Sequence, residues 1–425
     1  MTKLSIGNSY SKILGFTAKQ EKQLKDTFSY TVGGSAAYFS GFGIRKKYLL
    51  NKRGEFPTGL LHRLPFKPDI VVENRFKPAS QPSGLILKGE PYPWQQDAVK
   101  TAIKASRGII SAPTGTGKSM AMMLLVARLN VRTLIVVPTV EIAKQLHASV
   151  EEQGLSALID VHNVDSAALR SQSENPYDCL IIDEAHHSAA KTYRKLNKTM
   201  WAGIYYRFFF TATPFRNDNE ETILFESIAG EVIYRLDYKT AIKKGYIVPV
   251  EAYYFDLPKQ KTEAFTYQEV YKELIVANTS RNTLVRKLIQ NLTAAKKYHL
   301  CLVKEIAHGY NISSSLVSGQ DEASRELIQE FNVGEIHSLV ATTGIMGEGV
   351  DSRPCEYVIV AGLGKAKSQF MQQIGRAVRK YPGKESAKVI IFRDRSHKYL
   401  LRHFNEQCKV LKEEYGIKPI KLEIS

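Results

Sequence analysis

The chain has 425 residues, 44% of them hydrophobic and 24% charged, with a formal net charge of +17. That length exceeds one average domain and predicts two or three, with enough apolar residues for sizeable cores. No stretch approaches the roughly 18 apolar residues of a membrane span, and Met1–Gly15 lacks the sustained apolar run of a signal peptide. The four cysteines, Cys179, Cys301, Cys355 and Cys408, form no Cys-x-x-Cys pair. Their scatter argues against a zinc site or disulfide framework and for a reducing compartment, a cytoplasm.

Residues 1–90 carry 15 Lys/Arg against 6 Asp/Glu. An excess of this kind points to an acidic partner, most often nucleic acid, although a solvated basic surface would look the same. A helix is predicted around Ala18–Phe28. Lys47–Leu50, a turn at Asn51–Gly54 and Glu55–Leu61 then read as a hairpin, so the segment is a small α+β module. Pro65, Pro68, Pro78 and Pro82 punctuate a linker-like passage.

From about residue 90 the pattern is α/β. Strands are predicted at Ile109–Ser111, Thr133–Val137, Leu180–Asp183 and Arg207–Thr211, with helices at Met120–Leu129 and Glu141–Gln153. A second series follows: Ala252–Phe255, His299–Val303, Ser338–Ala341, Tyr357–Ala361 and Lys388–Phe392. Near-continuous apolar strands between helices indicate parallel sheets covered on both faces. The expected division is 1–88, 89–247 and 248–425. One crossover is irregular. Only about ten residues separate Lys304 from Leu316–Ser318, fewer than the dozen a parallel crossover needs. Ala307–Ser313 looks too short and polar for a full helix, so the crossover is degenerate or a helix has been lost.

Ala112-Pro113-Thr114-Gly115-Thr116-Gly117-Lys118-Ser119 lies between a predicted strand and a predicted helix, the context of a phosphate-binding loop. Glycines let backbone N–H groups converge on phosphate oxygens, and the helix N-terminus adds partial positive charge. Lys118 would reach the β- and γ-phosphates of ATP, and Ser119 would hold Mg²⁺. Ala112 replaces the first Gly of the generic pattern.

Asp183-Glu184-Ala185-His186-His187 ends the strand Cys179–Ile182. A carboxylate there holds Mg²⁺ in P-loop enzymes, which fits Asp183 acting through a bound water, and Glu184 would orient the attacking water. Thr211-Ala212-Thr213-Pro214 closes the next strand, where small hydroxyls could bond to the Asp-Glu loop. Gln372-Gln373-Ile374-Gly375-Arg376-Ala377-Val378-Arg379 reads as helical. Arg376 and Arg379, three apart, would share a face and reach a γ-phosphate, contributing roughly 10³–10⁵ in rate.

Taken together, Pro93-Trp94-Gln95, Ala112–Ser119, Pro138-Thr139, Asp183–His186, Thr211–Thr213, Ala341–Asp351 and Gln372–Arg379 resemble, in order, the motifs of superfamily 2 nucleic-acid helicases. The resemblance covers about residues 90–380. It implies two tandem RecA-like P-loop domains with parallel sheets, behind the basic module, and ATP between the domains. It further implies that Gln95 contacts adenine with Tyr92 or Trp94 stacked nearby. Gly349 and Asp351 would approach the nucleotide, Gln372 would join the arginines, and Pro138, Thr139, Thr342 and Thr343 would grip one tracking strand. Asp-Glu-Ala-His before His187, and Thr-Ala-Thr-Pro before Phe215-Arg216, resemble the DNA-directed members: phage branch-migration helicases of the UvsW type, XPB-like repair helicases and restriction motors. The basic module before the motor and the short tail after Lys380 most resemble the phage group, which act in a bacterial host cytoplasm.

The expected function is ATP-driven remodelling of branched DNA by a monomer. Arg45, Lys46, Lys47, Lys52, Arg53 and Arg63 would lie on phosphates. Tyr38, Phe39 or Phe42 would either stack on unpaired bases or fill the module's core. The alternatives are a duplex translocase that does not unwind and an ATP-gated nucleic-acid binding protein.

Overall fold

The computed structural model describes every residue except 33–44, 80–83, 167–174, 215–218, 320–322, 345–353, 363, 365–366 and 424–425. Tyr38, Phe39, Phe42, Gly349 and Asp351 lie outside the described residues. The chain divides into two compact units. One comprises Met1–Ala112 with Gly117–Leu236, and the other Pro113–Thr116 with Asp237–Ser425.

The first unit opens with the basic module. Strands β1 (Lys3–Ile6), β2 (Tyr10–Leu14), β5 (Glu55–Pro57) and β6 (Ile70–Glu73) form a mixed sheet in the order β5-β2-β1-β6. Strands β3 (Ser29–Val32) and β4 (Arg45–Tyr48) form a separate antiparallel ribbon. Helix Ala18–Thr27 begins at a capping box, Thr17 accepting from Gln20 N and Gln20 returning a bond to Thr17 N. The expected hairpin across Asn51–Gly54 is not made. The turn is present, but β4 pairs with β3, and β5 pairs with β2. Burial explains the split: β4 exposes all four side chains, whereas β5 carries buried Phe56 into the core beside Ile13 and Phe28. The proline-marked passage also contains β6, parallel to β1, so it is partly sheet rather than linker.

The module's core is not its own. Leu4, Ile13, Leu24, Phe28, Phe56 and Leu60 cluster with Ile223 and Leu224, which belong to helix Asn219–Ala229 of the parallel α/β part. That part is a six-stranded all-parallel sheet, ordered β12-β7-β11-β10-β8-β9. Its strands are β7 (Arg107–Ser111), β8 (Thr133–Val137), β9 (Ile159–Asn163), β10 (Cys179–Ile182), β11 (Tyr206–Thr211) and β12 (Val232–Arg235). The central strands β8, β10 and β11 are buried throughout, as their apolar runs require.

In the second unit a seven-stranded parallel sheet runs β15-β16-β14-β17-β18-β13-β19. Its strands are β13 (Val250–Asp256), β14 (His299–Val303), β15 (Leu316–Val317), β16 (Ser338–Thr342), β17 (Tyr357–Val360), β18 (Ala387–Arg393) and β19 (Ile420–Leu422). The doubtful crossover does contain a helix, Ile306–Ile312, of seven residues. It fits because it feeds a two-residue strand and because Gly309 seats on Leu316, whose side chain lies 2.4 Å from where a Cβ would stand.

Candidate active site

Four strands of the first sheet, β7, β8, β10 and β11, end where the motifs begin. After β7, the phosphate loop runs to Gly117, which sits in the left-handed region (φ 86°) and starts helix Lys118–Leu129. Gly117 is required twice over, since a Cβ there would also stand 2.7 Å from Gln95 Nε2. Thr116 is buried, and its hydroxyl donates to Pro113 O at 2.8 Å. Ala112, the departure from the generic pattern, is fully buried and donates its N–H to Thr211 O.

Gln95 is buried and spoken for at both ends. Its Oε1 accepts from Tyr92 N at 2.7 Å, capping helix Pro93–Ala105, and its Nε2 donates to Gly117 O at 2.8 Å. Trp94 is core, stacked on Tyr234, which leaves the exposed Tyr92 as the aromatic of the pair that solvent reaches.

The charged centre is a chain of contacts across three loops. Lys118 Nζ, 8% exposed, lies 3.9 Å from Glu184 Oε1. Glu184 Oε2 is 3.4 Å from His186 Nδ1, which is 3.4 Å from Thr211 Oγ1. Thr211 Oγ1 in turn accepts from Thr213 N at 3.1 Å. The Thr-Ala-Thr loop is thus linked to the Asp-Glu loop as the sequence suggested, and the linking residue is His186, to which sequence reading gave no role. Asp183 accepts from Glu184 N at 2.9 Å through Oδ1. Glu184 holds φ at 43°, an uncommon conformation for a residue with a side chain. The other three described non-glycine residues with positive φ are Ser106, Asn130 and Lys296, which all lie just past helix C-termini. Glu184 bends the backbone inside the site itself, where such strain tends to accompany function. Ser119 is exposed and Asp183 nearly buried, an oxygen-only donor set of the kind a hard divalent cation takes.

Elsewhere in this unit, Pro138 and Thr139 are half-buried after β8, and Thr139 caps helix Val140–Glu152 by accepting from Ile142 N. Arg45, Lys46, Lys47, Lys52 and Arg53 are exposed, Lys46 pairing with Asp26 at 2.7 Å. Arg63 is placed differently. It is half-buried and ion-paired with Glu226, which His62 also contacts at 3.2 Å. Burial works against the Glu226 charge, but the hydrogen bonds from His62 and Arg63 outweigh it and hold the carboxyl below its usual range.

In the second unit, Gln372 and Arg376 lie on helix Lys367–Ala377, with Arg376 buried and Gln372 half-buried. The helix stops at Ala377, so Arg379 stands beyond it and does not share a helical face with Arg376. Thr342 ends β16, and Thr343 donates its N–H to Val303 O at 2.8 Å.

A DEAD/DEAH box helicase family model matches residues 92–176, a model of the type III restriction enzyme res subunit matches 152–216, and a helicase conserved C-terminal domain model matches 266–381. The DNA 3'-5' translocase XPB2 of Sulfurisphaera tokodaii is 27% identical, over 79% of this chain and 85% of its own. The ATP-dependent DNA helicase uvsW of Enterobacteria phage T4 is 23% identical, over 71% of this chain and 68% of its own. A solved fragment assigned as the HsdR subunit of a type I restriction enzyme from Vibrio vulnificus shares the fold, with a TM-score of 0.62 at 16% identity, over 80% of this chain and 69% of that one. No helix among the described residues is long and apolar enough to cross a membrane. With two RecA-like sheets, a phosphate loop wired to an Asp-Glu-Ala-His loop, and helicase models matching in series along it, the chain belongs to the superfamily 2 helicases, as an ATP-dependent DNA helicase.

Proposed function

We propose that this helicase remodels branched DNA, forks and four-way junctions, as a monomer in a cytoplasm. Residues 1–88 would read the DNA, 89–247 bind ATP, and 248–425 form the second motor domain. The observation that carries the reading is the contact chain Lys118–Glu184–His186–Thr211, which ties the phosphate loop to two further loops of one rigid sheet.

In this reading Lys118 draws the β- and γ-phosphates, with Pro113–Gly117 cradling them through backbone N–H groups. Ser119 and Asp183 are the residues that would hold Mg²⁺, which neutralises phosphate charge when bound. Glu184 leaves Lys118 once phosphate takes its place, and polarises the attacking water. Gln372, Arg376 and Arg379 steady the charge that develops on the γ-phosphate. Tyr92 and Gln95 would contact the base, and Gly349 and Asp351, outside the described residues, would approach the nucleotide. Pro138, Thr139, Thr342 and Thr343 hold the tracking strand by its backbone, a grip without sequence preference that weakens steeply with salt. The exposed Arg45, Lys46, Lys47, Lys52 and Arg53 lie on junction phosphates. The Lys46–Asp26 pair is a surface contact that phosphate can displace at little cost. Arg63, committed to Glu226, serves the module's seating instead.

The test is a gel assay with a synthetic fork, a four-way junction and a blunt duplex, with and without ATP. Strand displacement from the branched substrates is expected. Lys118→Ala should lower turnover by at least about two orders of magnitude while some DNA binding persists. Movement along duplex without displaced strand would favour a translocase. DNA-stimulated hydrolysis with no product from any branched substrate would leave an ATP-gated binding protein and sink the proposal.

A further inference from the structure

Two arginines stand opposite each other at the base of the first sheet. Arg107 opens β7 and Arg207 is its register partner on β11. Four residues on, Ser111 and Thr211 are again register partners, and from there the chain enters the phosphate loop and the Thr-Ala-Thr loop. One pair of strands therefore carries guanidinium groups at its amino ends and the hydrolytic loops at its carboxyl ends.

Among the described residues no carboxylate pairs with either guanidinium. Arg207 is fully buried. It donates through Nε to Ile204 O at 3.0 Å, through Nη1 to Asn197 Oδ1, and through Nη2 to Trp201 O and to Ser9 Oγ, the last at 3.0 Å. Arg107 donates through Nη1 to Ile228 O at 3.2 Å and through Nη2 to Asn8 O. Burial, then repulsion from neighbouring arginines, pulls Arg107 down to about 9 and Arg207 well below its usual range. A buried charge without a counter-charge depends on its hydrogen bonds. Two of those acceptors come from the turn between β1 and β2. Ser9 Oγ accepts from Arg207 and donates to Asn197 O at 2.5 Å, and Asn8 Nδ2 donates to Gly203 O at 2.9 Å. A second seat lies on helix Asn219–Ala229, which follows the Thr-Ala-Thr loop. There Gly59 packs so close that a Cβ would stand 2.2 Å from Glu226 O and 2.6 Å from Ser227 O.

We propose that the Asn8–Ser9 turn is a positioning element of the ATPase: by capping Arg107 and Arg207 it fixes the two strands that hold the hydrolytic loops, so that the amino-terminal module and the hydrolytic site move as one body. Ser9, Arg107 and Arg207 are positioning residues, since none lies in the nucleotide-binding loops. The inference rests on the hydrolytic reading of the phosphate loop and adds to it residues at the opposite ends of the same strands. A displacement of about 1 Å at a reacting group is enough to cost on the order of a hundredfold in rate, so small shifts of β7 against β11 matter.

The test is a double-mutant cycle in the full chain: Ser9→Ala, Arg207→Met and both together, with ATPase kcat and KM measured well below each variant's melting temperature. Ser9→Ala should lower kcat about tenfold, the scale of a hydrogen bond to a charged group, with KM for ATP changed by less than about twofold. The double variant should fall no further than Arg207→Met alone, because both changes break one link. If Arg207→Met does not fold, Arg207→Gln takes its place in the cycle. A lowered melting temperature with unchanged kcat would reduce the turn to packing and overturn the proposal, as would strictly multiplicative losses in kcat. Lys118→Ala in parallel judges the hydrolytic reading by itself: hydrolysis that survives it fells that reading, whatever the cycle gives.

Discussion

Each unit buries an arginine beside its sheet, and the two settle its charge in different ways. In the second unit Arg281, 5% exposed, meets Asp394 at 3.4 Å, donates to Ala361 O at 2.9 Å and lies over the Phe392 ring. Every one of those partners belongs to the same α/β fold. In the first unit Arg207 has only neutral oxygens, one of them on Ser9 of the amino-terminal module. Arg281 finds its counter-charge inside its own α/β fold, whereas Arg207 borrows part of its solvation from a segment that reads in sequence as a separate domain. A module can thus be distinct in composition and still be part of the motor's interior.

Three experiments bear on that contrast, taken from the largest expected effect to the smallest. Asp394→Ala leaves Arg281 buried and unpaired, and should destabilise the chain by about 3–5 kcal/mol in denaturant unfolding. A loss below about 1 kcal/mol would mean that the second unit, too, manages with neutral acceptors. Gly59→Ala drives a methyl into two backbone carbonyls of helix Asn219–Ala229 and should cost about 1–3 kcal/mol. Full stability with that methyl in place would show that the module's seat is loose.

The smallest effect, reckoned per pH unit, is a pH dependence of the second unit. His308 is fully buried, and its Nε2–H donates to Asn282 Oδ1 at 3.0 Å, which leaves Nδ1 without a described partner. Burial, then Arg281, pulls it from 6.5 down to about 3. The folded imidazole therefore stays neutral while the unfolded one takes up a proton. Stability should be whole above pH 6.5 and fall as pH drops toward 3, with a slope of up to about 1.4 kcal/mol per pH unit. His308→Gln should flatten that slope, and an unchanged slope would assign it to other groups.

Much of this was legible in the sequence. The apolar runs from Ile109 to Phe392 announce themselves because fully buried parallel strands need no alternation, and the site loops sit at their carboxyl ends where a P-loop fold puts them. Strands β9 and β12 escaped because they lie at the sheet edges. There Asp160, His162 and Asn163 interrupt the apolar pattern, and β12 shifts register between Val232 and Tyr234. The misread hairpin follows from the same limit. Lys47–Leu50 and Glu55–Leu61 flank a true turn, and only the faces they bury reveal that they belong to different sheets. His186 went unassigned because its importance lies in a contact with Thr211, 25 residues away, that no local pattern encodes. Ser9 left no signal at all. A serine in a turn is ordinary until a buried guanidinium is found beneath it.

Strand β4 holds one last consequence. None of its four side chains has a place in a core. Packing therefore sets no limit on what Arg45, Lys46, Lys47 and Tyr48 become, and charge can be added or removed there without disturbing the fold. Within the amino-terminal module, β1, β2, β3 and β5 each commit a side chain to the shared interior, Leu4, Ile13, Tyr30 and Phe56, whereas β4 can be rewritten residue by residue while that interior stays as it is.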